Sequence, residues 1–377
     1  MASSSDVDLA ADRFDISGPA HMMAENGAGS SPMVIHWGKE EHRRCVAACL
    51  VKGVTVMVMD RSRRGRTDPL APAWWESFGF RRLDVIKDDP DEIFGAIYEY
   101  KPRDGVPRHP LAPRYVVAFR GTIRTHLGDL RQDIRIINTT FRDSKRSEIA
   151  RKAVDDLLDG CITVGNDDAS ASCIVWLAGH SLGASQALDV GRFMMSEKRL
   201  NLPTFLFNPP QVSLAPVINL LRPTEKAKKD LYTTIHCMKA VLGLPFYFHK
   251  KRMEKLFERL SPWEPELYVH EKDPICKGYI DYFEQRQQMA MMLSCRGMLL
   301  SLIGDEKETQ HLLPSARLWK KSSMAGDVDG LQQQLCDLPR DVHRLKKLVG
   351  KAHSLEQWWK SDSELSLNCT QYKYRSA

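Results

Sequence analysis

The chain lacks several features that whole classes of protein require. No run of eighteen apolar residues occurs, so no membrane-spanning helix is expected. No apolar stretch follows a basic start; the opening MASSSDVDLAADRF is polar and acidic, and no secretory signal is read from it. The 9 cysteines are odd in number and scattered, with no Cys-x-x-Cys pair, which favours reduced thiols and argues against a zinc site. Cys45 and Cys49, one helical turn apart, suit two packed thiols better than a bridge. The net charge of +6 is far from the basic excess of a nucleic-acid binder, so no nucleic-acid partner is expected. No internal repeat is found. These absences make a cytoplasmic protein the expectation.

What is present is ordinary in bulk and specific in detail. At 43% hydrophobic and 27% charged, the 377 residues suit one large α/β domain with insertions, or two smaller domains. Residues 1–33, rich in Ser, Gly, Ala and Asp, read as a flexible tail, and 34–377 as a single domain. A helix with a buried face is expected from Glu40 to about Met59, and another from Lys145 to Leu158. IFGAIYEYKP (Ile93 to Pro102) and RYVVAFRGT (Arg114 to Thr122) read as neighbouring strands joined by a Gly/Pro-rich loop. IVWLAG, PTFLFNPP and ELYVHEKD are further strands, with a helix from Leu182 to Met195. Alternating strands and helices imply a mainly parallel sheet covered on both faces. From Gly330 onward the sequence reads as a helix and then a polar tail containing Trp358 and Trp359.

Between the last two strands lies an insertion, Arg222 to Leu260, with ten Lys and Arg against four acids, a net of +6 that equals the excess of the whole chain. Such a basic, partly apolar segment suits a cap over a cleft or peripheral contact with an anionic membrane surface; a helical excursion with solvated lysines fits as well.

The stretch Ile174 to Leu188, IVWLAGHSLGASQAL, carries the chemistry. Five apolar residues run into Gly179-His180-Ser181-Leu182-Gly183, and a small-residue helix follows. A serine at the tip of a strand-to-helix turn takes a strained backbone, and glycines two before and two after relieve the crowding. Such a serine needs a base for its proton and donors for an oxyanion. The backbone N–H of Leu182, at the helix start, is one donor. Thr122, following Gly121 at the end of RYVVAFRGT, is the expected second, through its N–H and hydroxyl. His180 is expected to be an oriented packing residue and not the base.

FRGT, then DLRQDIRI, then AGHSLGA resemble the class 3 lipase branch of the α/β-hydrolases. More closely, SGPAHM, HRRCVAACL, WWESF, IFGAIYEYKP, YVVAFRGT, VWLAGHSLGAS and FNPP are similar to a plant family usually labelled GDSL esterase/lipase or lipase class 3-like. The likeness runs from about Ile16 to Tyr374, although the serine here stands in GHSLG and no Gly-Asp-Ser-Leu occurs. It implies an α/β-hydrolase fold and action on carboxylic esters of lipids, as in a triacylglycerol lipase. FNPPQVS departs from the F-G-x-P-R-V-G run of class 3 lipases.

The acid and base follow the serine in the order Ser, Asp, His. Asp273, just past a strand and before a proline, stands where such lipases carry V-N-x-x-D-P, with His270 in place of the asparagine. Asp281, on a helical stretch, is the runner-up. The base is one of His311, His343 and His353. His311, after the charged loop GDEKETQ and near a strand-like end, is preferred, because the other two fall in the polar C-terminal helix, where titratable groups are usually solvated. The expected triad is therefore Ser181, Asp273 and His311, working through an acyl-enzyme with no metal or other cofactor. Acyl transfer to an alcohol on the same scaffold, and an idle site that binds a lipid or a partner, are the other readings. The sequence leaves the oligomeric state open.

Overall fold

The computed structural model describes residues 10–26, 32–62, 68–89, 92–121, 144–164, 174–211, 254–293, 313–322 and 350–374. Among these residues eight strands form one sheet in strictly sequential order. They are β1 (Phe80–Asp89), β2 (Glu92–Tyr100), β3 (Tyr115–Phe119), β4 (Val175–His180), β5 (Thr204–Phe207), β6 (Glu266–His270), β7 (Ala316–Lys321) and β8 (Leu367–Tyr372). Strands β3 to β7 are mutually parallel, while β1, β2 and β8 add antiparallel edges. The fold is α/β with a mostly parallel sheet.

Among the described residues four long helices flank it: α1 (Glu40–Ser62), α2 (Ser144–Val164), α3 (Leu182–Phe193) and α4 (Gly278–Leu293). Parallel strands added one after another in a single direction, each through a right-handed crossover, place every crossover helix on the same face. Accordingly Val154 of α2, Leu188 of α3 and Phe283 of α4 share one core with Val117, Leu177 and Leu267 of the sheet. The opposite face would be bare without help from outside the crossovers. It carries Val116, Ala118, Trp176 and Phe205, and it is covered by α1 and by Trp358 and Trp359. Helix α1 is buried along thirteen of its residues, Arg44 among them.

The expected strand pair β2–β3 and the helices at α1, α2 and α3 fall where the periodicity put them. The terminal segments do not. Where the expected tail 1–33 is described, it holds short packed helices at Phe14–Ser17 and Ala20–Asn26: Phe14 and Met22 are buried, and the Asp12 carbonyl accepts from Trp74 Nε1 at 2.8 Å. The polar tail expected around Trp358 and Trp359 is likewise core, with Trp358 fully buried and Trp359 Nε1 donating to the Ser17 carbonyl at 2.8 Å. The insertion 222–260 lies outside the described residues except for 254–260, which are helical and bury Phe257 and Leu260. Among the described residues, Cys45, Cys49, Cys276 and Cys369 are free thiols, and no helix is long and apolar enough to cross a membrane.

Two histidines make this fold acid-sensitive. Burial pushes the His42 imidazole, ordinarily near 6.5, down to about 4, and burial does the same to His270. Between those values the unfolded chain binds protons that the folded chain refuses, so stability falls as pH drops from 6.5 towards 4. Thermal midpoints at pH 7, 6, 5 and 4.5 should decline through that window by several degrees. A flat series would contradict the assignment.

Candidate functional site

The site forms where β4, β5 and β6 end. Strand β4 stops at His180, and Ser181 takes φ 53° and ψ −123° before α3 begins at Leu182. A non-glycine residue in that region is strained, and the sequence makes room for it on both sides. A Cβ at Gly179 would lie 2.2 Å from the Gly183 carbonyl oxygen, and one at Gly183 would lie 2.3 Å from the Phe119 carbonyl oxygen. The Ser181 N–H donates to the Phe207 carbonyl at 2.9 Å, so β5 fixes the turn.

Ser181 Oγ lies 2.8 Å from His353 Nε2, and His353 Nδ1 lies 2.7 Å from Asp273 Oδ2. With Nδ1 protonated towards the carboxylate, Nε2 is left to accept the serine proton. All three groups are buried. Burial pushes the Asp273 carboxyl up, but the charge and hydrogen bond of His353, with donors from Cys276 and the Ile275 N–H, outweigh it and hold the group below its ordinary value. Cys276 Sγ donates to Oδ2 at 3.0 Å, and the Ile275 N–H donates to Oδ1 at 3.0 Å.

Of the residues expected from sequence, Ser181 and Asp273 are brought to one point. Gly179 and Gly183 flank the serine, and Leu182 opens α3 beside it. Thr122 and His311 lie outside the described residues. Gly121, just before Thr122, is packed against the serine: a Cβ there would lie 3.2 Å from Ser181 Cβ. Arg120 holds this strand exit, donating through Nε to the Ile93 carbonyl at 2.7 Å and through Nη1 to the Gly121 carbonyl at 2.8 Å. Asp281 sits in the first turn of α4.

The histidine in contact with Ser181 is His353, which sequence reasoning set aside as solvated. It is 4% exposed. The available signal was Trp358 and Trp359 a few residues on, since two tryptophans in a short polar run mark chain that is drawn into a core. His180, expected to be an oriented packing residue, also makes a hydrogen bond: its Nε2 lies 2.8 Å from the His353 carbonyl oxygen and donates to it. No group of acidic, histidine or cysteine side chains among the described residues is arranged to hold a metal ion.

A buried serine, imidazole and carboxylate stand in hydrogen-bond contact with a helix N-terminus beside the serine, an arrangement in which the imidazole can accept the serine proton. The chain belongs to the GDSL esterase/lipase family: it is 33% identical to an Arabidopsis thaliana protein described as a GDSL esterase/lipase, over 96% of this chain and 98% of that one. That likeness supports a carboxylic-ester hydrolase. No established family profile and no solved structure matches the chain.

Proposed function

We propose that the chain is a serine hydrolase of the α/β-hydrolase type, close to the class 3 lipases, in which Ser181 is the nucleophile, His353 the general base and Asp273 its orienting acid. The observation that carries the reading is the unbroken relay from Ser181 Oγ through His353 to Asp273 Oδ2, at 2.8 and 2.7 Å. His353 takes the place that sequence reasoning gave to His311.

In this reading the Ser181 hydroxyl attacks the ester carbonyl as its proton passes to His353 Nε2. The imidazolium so formed is stabilised by Asp273, whose depressed pKa keeps it charged near neutrality. Negative charge on the carbonyl oxygen is met by the Leu182 N–H at the start of α3, where the first N–H groups of a helix have no intrahelical acceptor. The second donor is the residue after Gly121, Thr122, because Gly121 brings that strand exit against Ser181. His353 returns its proton to the leaving alcohol, and water then attacks the acyl-enzyme with the same imidazole as base. The basic segment 222–260 is the element suited to hold the protein at an anionic lipid surface, where esters with long acyl chains reside.

Labelling by a fluorophosphonate tests the reading. The wild-type protein should take one label, and Ser181→Ala should take none while keeping its circular dichroism spectrum. A folded wild-type protein that resists the probe and hydrolyses no p-nitrophenyl ester from C2 to C16 would overturn it.

A further inference from the structure

The residue after β5, Asn208, is fully buried and sits in the left-handed region at φ 46°. Asparagine tolerates that conformation better than most residues, which leaves its amide to be explained. Both ends of that amide are used. Nδ2 donates to Asp273 Oδ2 at 2.7 Å and to the Ala352 carbonyl at 3.1 Å, with Cys276 Sγ further off at 3.5 Å. Oδ1 accepts from Trp358 Nε1 at 2.5 Å. Because the indole N–H can only donate and the carbonyl and carboxylate can only accept, the amide orientation is fixed by its partners.

We infer that Asn208 is a positioning residue for the Asp273–His353 pair, clamping the histidine-bearing segment on both sides of His353 and tying it to the carboxylate that orients the ring. The backbone extends the clamp. The Asn208 N–H donates to the Tyr268 carbonyl of β6 at 2.9 Å, and the preceding carbonyl, of Phe207, accepts from the Ser181 N–H. One residue therefore connects the strand ends that present the serine and the acid with the loop that presents the base. It also shares Oδ2 with the imidazole, so its donor draws off part of the charge that stabilises the imidazolium. This inference rests on the proposed serine-hydrolase reading.

The test uses Asn208→Gly, which keeps the left-handed backbone and deletes the amide, and Asn208→Asp, which keeps the shape but replaces the donor with a carboxyl. Wild-type labelling by the fluorophosphonate is measured first. If the wild type is not labelled, the hydrolase reading fails and this inference falls with it. If it is labelled, Asn208→Gly should lower kcat per folded molecule by about tenfold to a hundredfold with KM within about twofold, as expected of a displaced relay. The acidic limb of kcat/KM should move to higher pH in both variants. In Asn208→Gly, Asp273 loses a competing donor; in Asn208→Asp, a second negative charge stands near the imidazolium. Circular dichroism and thermal midpoints give the folded fraction. If Asn208→Gly does not fold, the fall in kcat and the shifted limb are read in Asn208→Asp. A folded variant with an unmoved acidic limb, or a loss no larger than the loss of folded protein, confines Asn208 to packing and overturns the inference while leaving the hydrolase reading intact.

Discussion

His353→Ala should lower kcat/KM for a p-nitrophenyl ester by about 10⁴-fold or more, equivalent to about 5.5 kcal/mol of transition-state stabilisation. His311→Ala should leave kcat/KM within about threefold, the range of an indirect effect. The contrast follows from occupancy. Ser181 Oγ already has an imidazole nitrogen at 2.8 Å, and that imidazole already has its carboxylate. A second histidine acting as base would have to displace a ring held at its backbone by His180 and at its Nδ1 by Asp273. Asp273→Asn should cost nearly as much as His353→Ala, because an amide can donate to Nδ1 and favour the wrong tautomer. Steady-state kinetics on folded proteins decide the matter. Full activity in His353→Ala, or its loss in His311→Ala alone, would remove the relay described above.

The second large effect is on folding. Gly179→Ala and Gly183→Ala should each destabilise the protein by about 3 kcal/mol or more, at the upper end of what overpacking costs. The added methyl groups would meet backbone at 2.2 and 2.3 Å, where no rotamer change gives relief. Those contacts join α3 to β4 and to the end of β3, so the turn cannot open without parting helix from sheet. Urea unfolding measures the loss, which is a large share of the 5–15 kcal/mol typical of a domain. A midpoint unchanged in Gly183→Ala would show that the turn relaxes more easily than its packing implies.

The serine turn was legible because everything that makes it is local. An apolar run, two glycines at fixed offsets and a small-residue helix lie within fifteen residues, so pattern and structure coincide. Asp273 was legible for a similar reason, standing between a strand end and a proline. His353 was not, because the one local sign of burial, Trp358 and Trp359 a few residues on, says that the segment is packed but not what the imidazole meets. Its environment comes from Asn208, Asp273 and His180, far away along the chain. Strand β1 escaped notice because FRRLDVIKDD lies at a sheet edge, where Arg81 to Asp84 face solvent and the apolar alternation is lost. The N-terminal helices were hidden by a composition that suits a loose tail, although Phe14 and Met22 reach a core built by tryptophans placed much later in sequence. Family resemblance supplied the order of serine, acid and base, but only the folded chain shows His353 against Ser181.

The face of the sheet opposite the crossover helices is closed by chain from both ends. Arg44 of α1 donates to the carbonyls of Trp358 and Lys360 at 2.8 and 2.6 Å, and Trp74 packs edge-on against Trp359. On a ribosome these parts do not arrive together. Helix α1, strands β1 to β4 and the serine turn are all made well before residues 350–372, which bring the imidazole and the closing strand β8. The contact between His353 and Ser181, and the cover that Trp358 and Trp359 give this face, are therefore completed only once that later segment has packed onto chain made long before it.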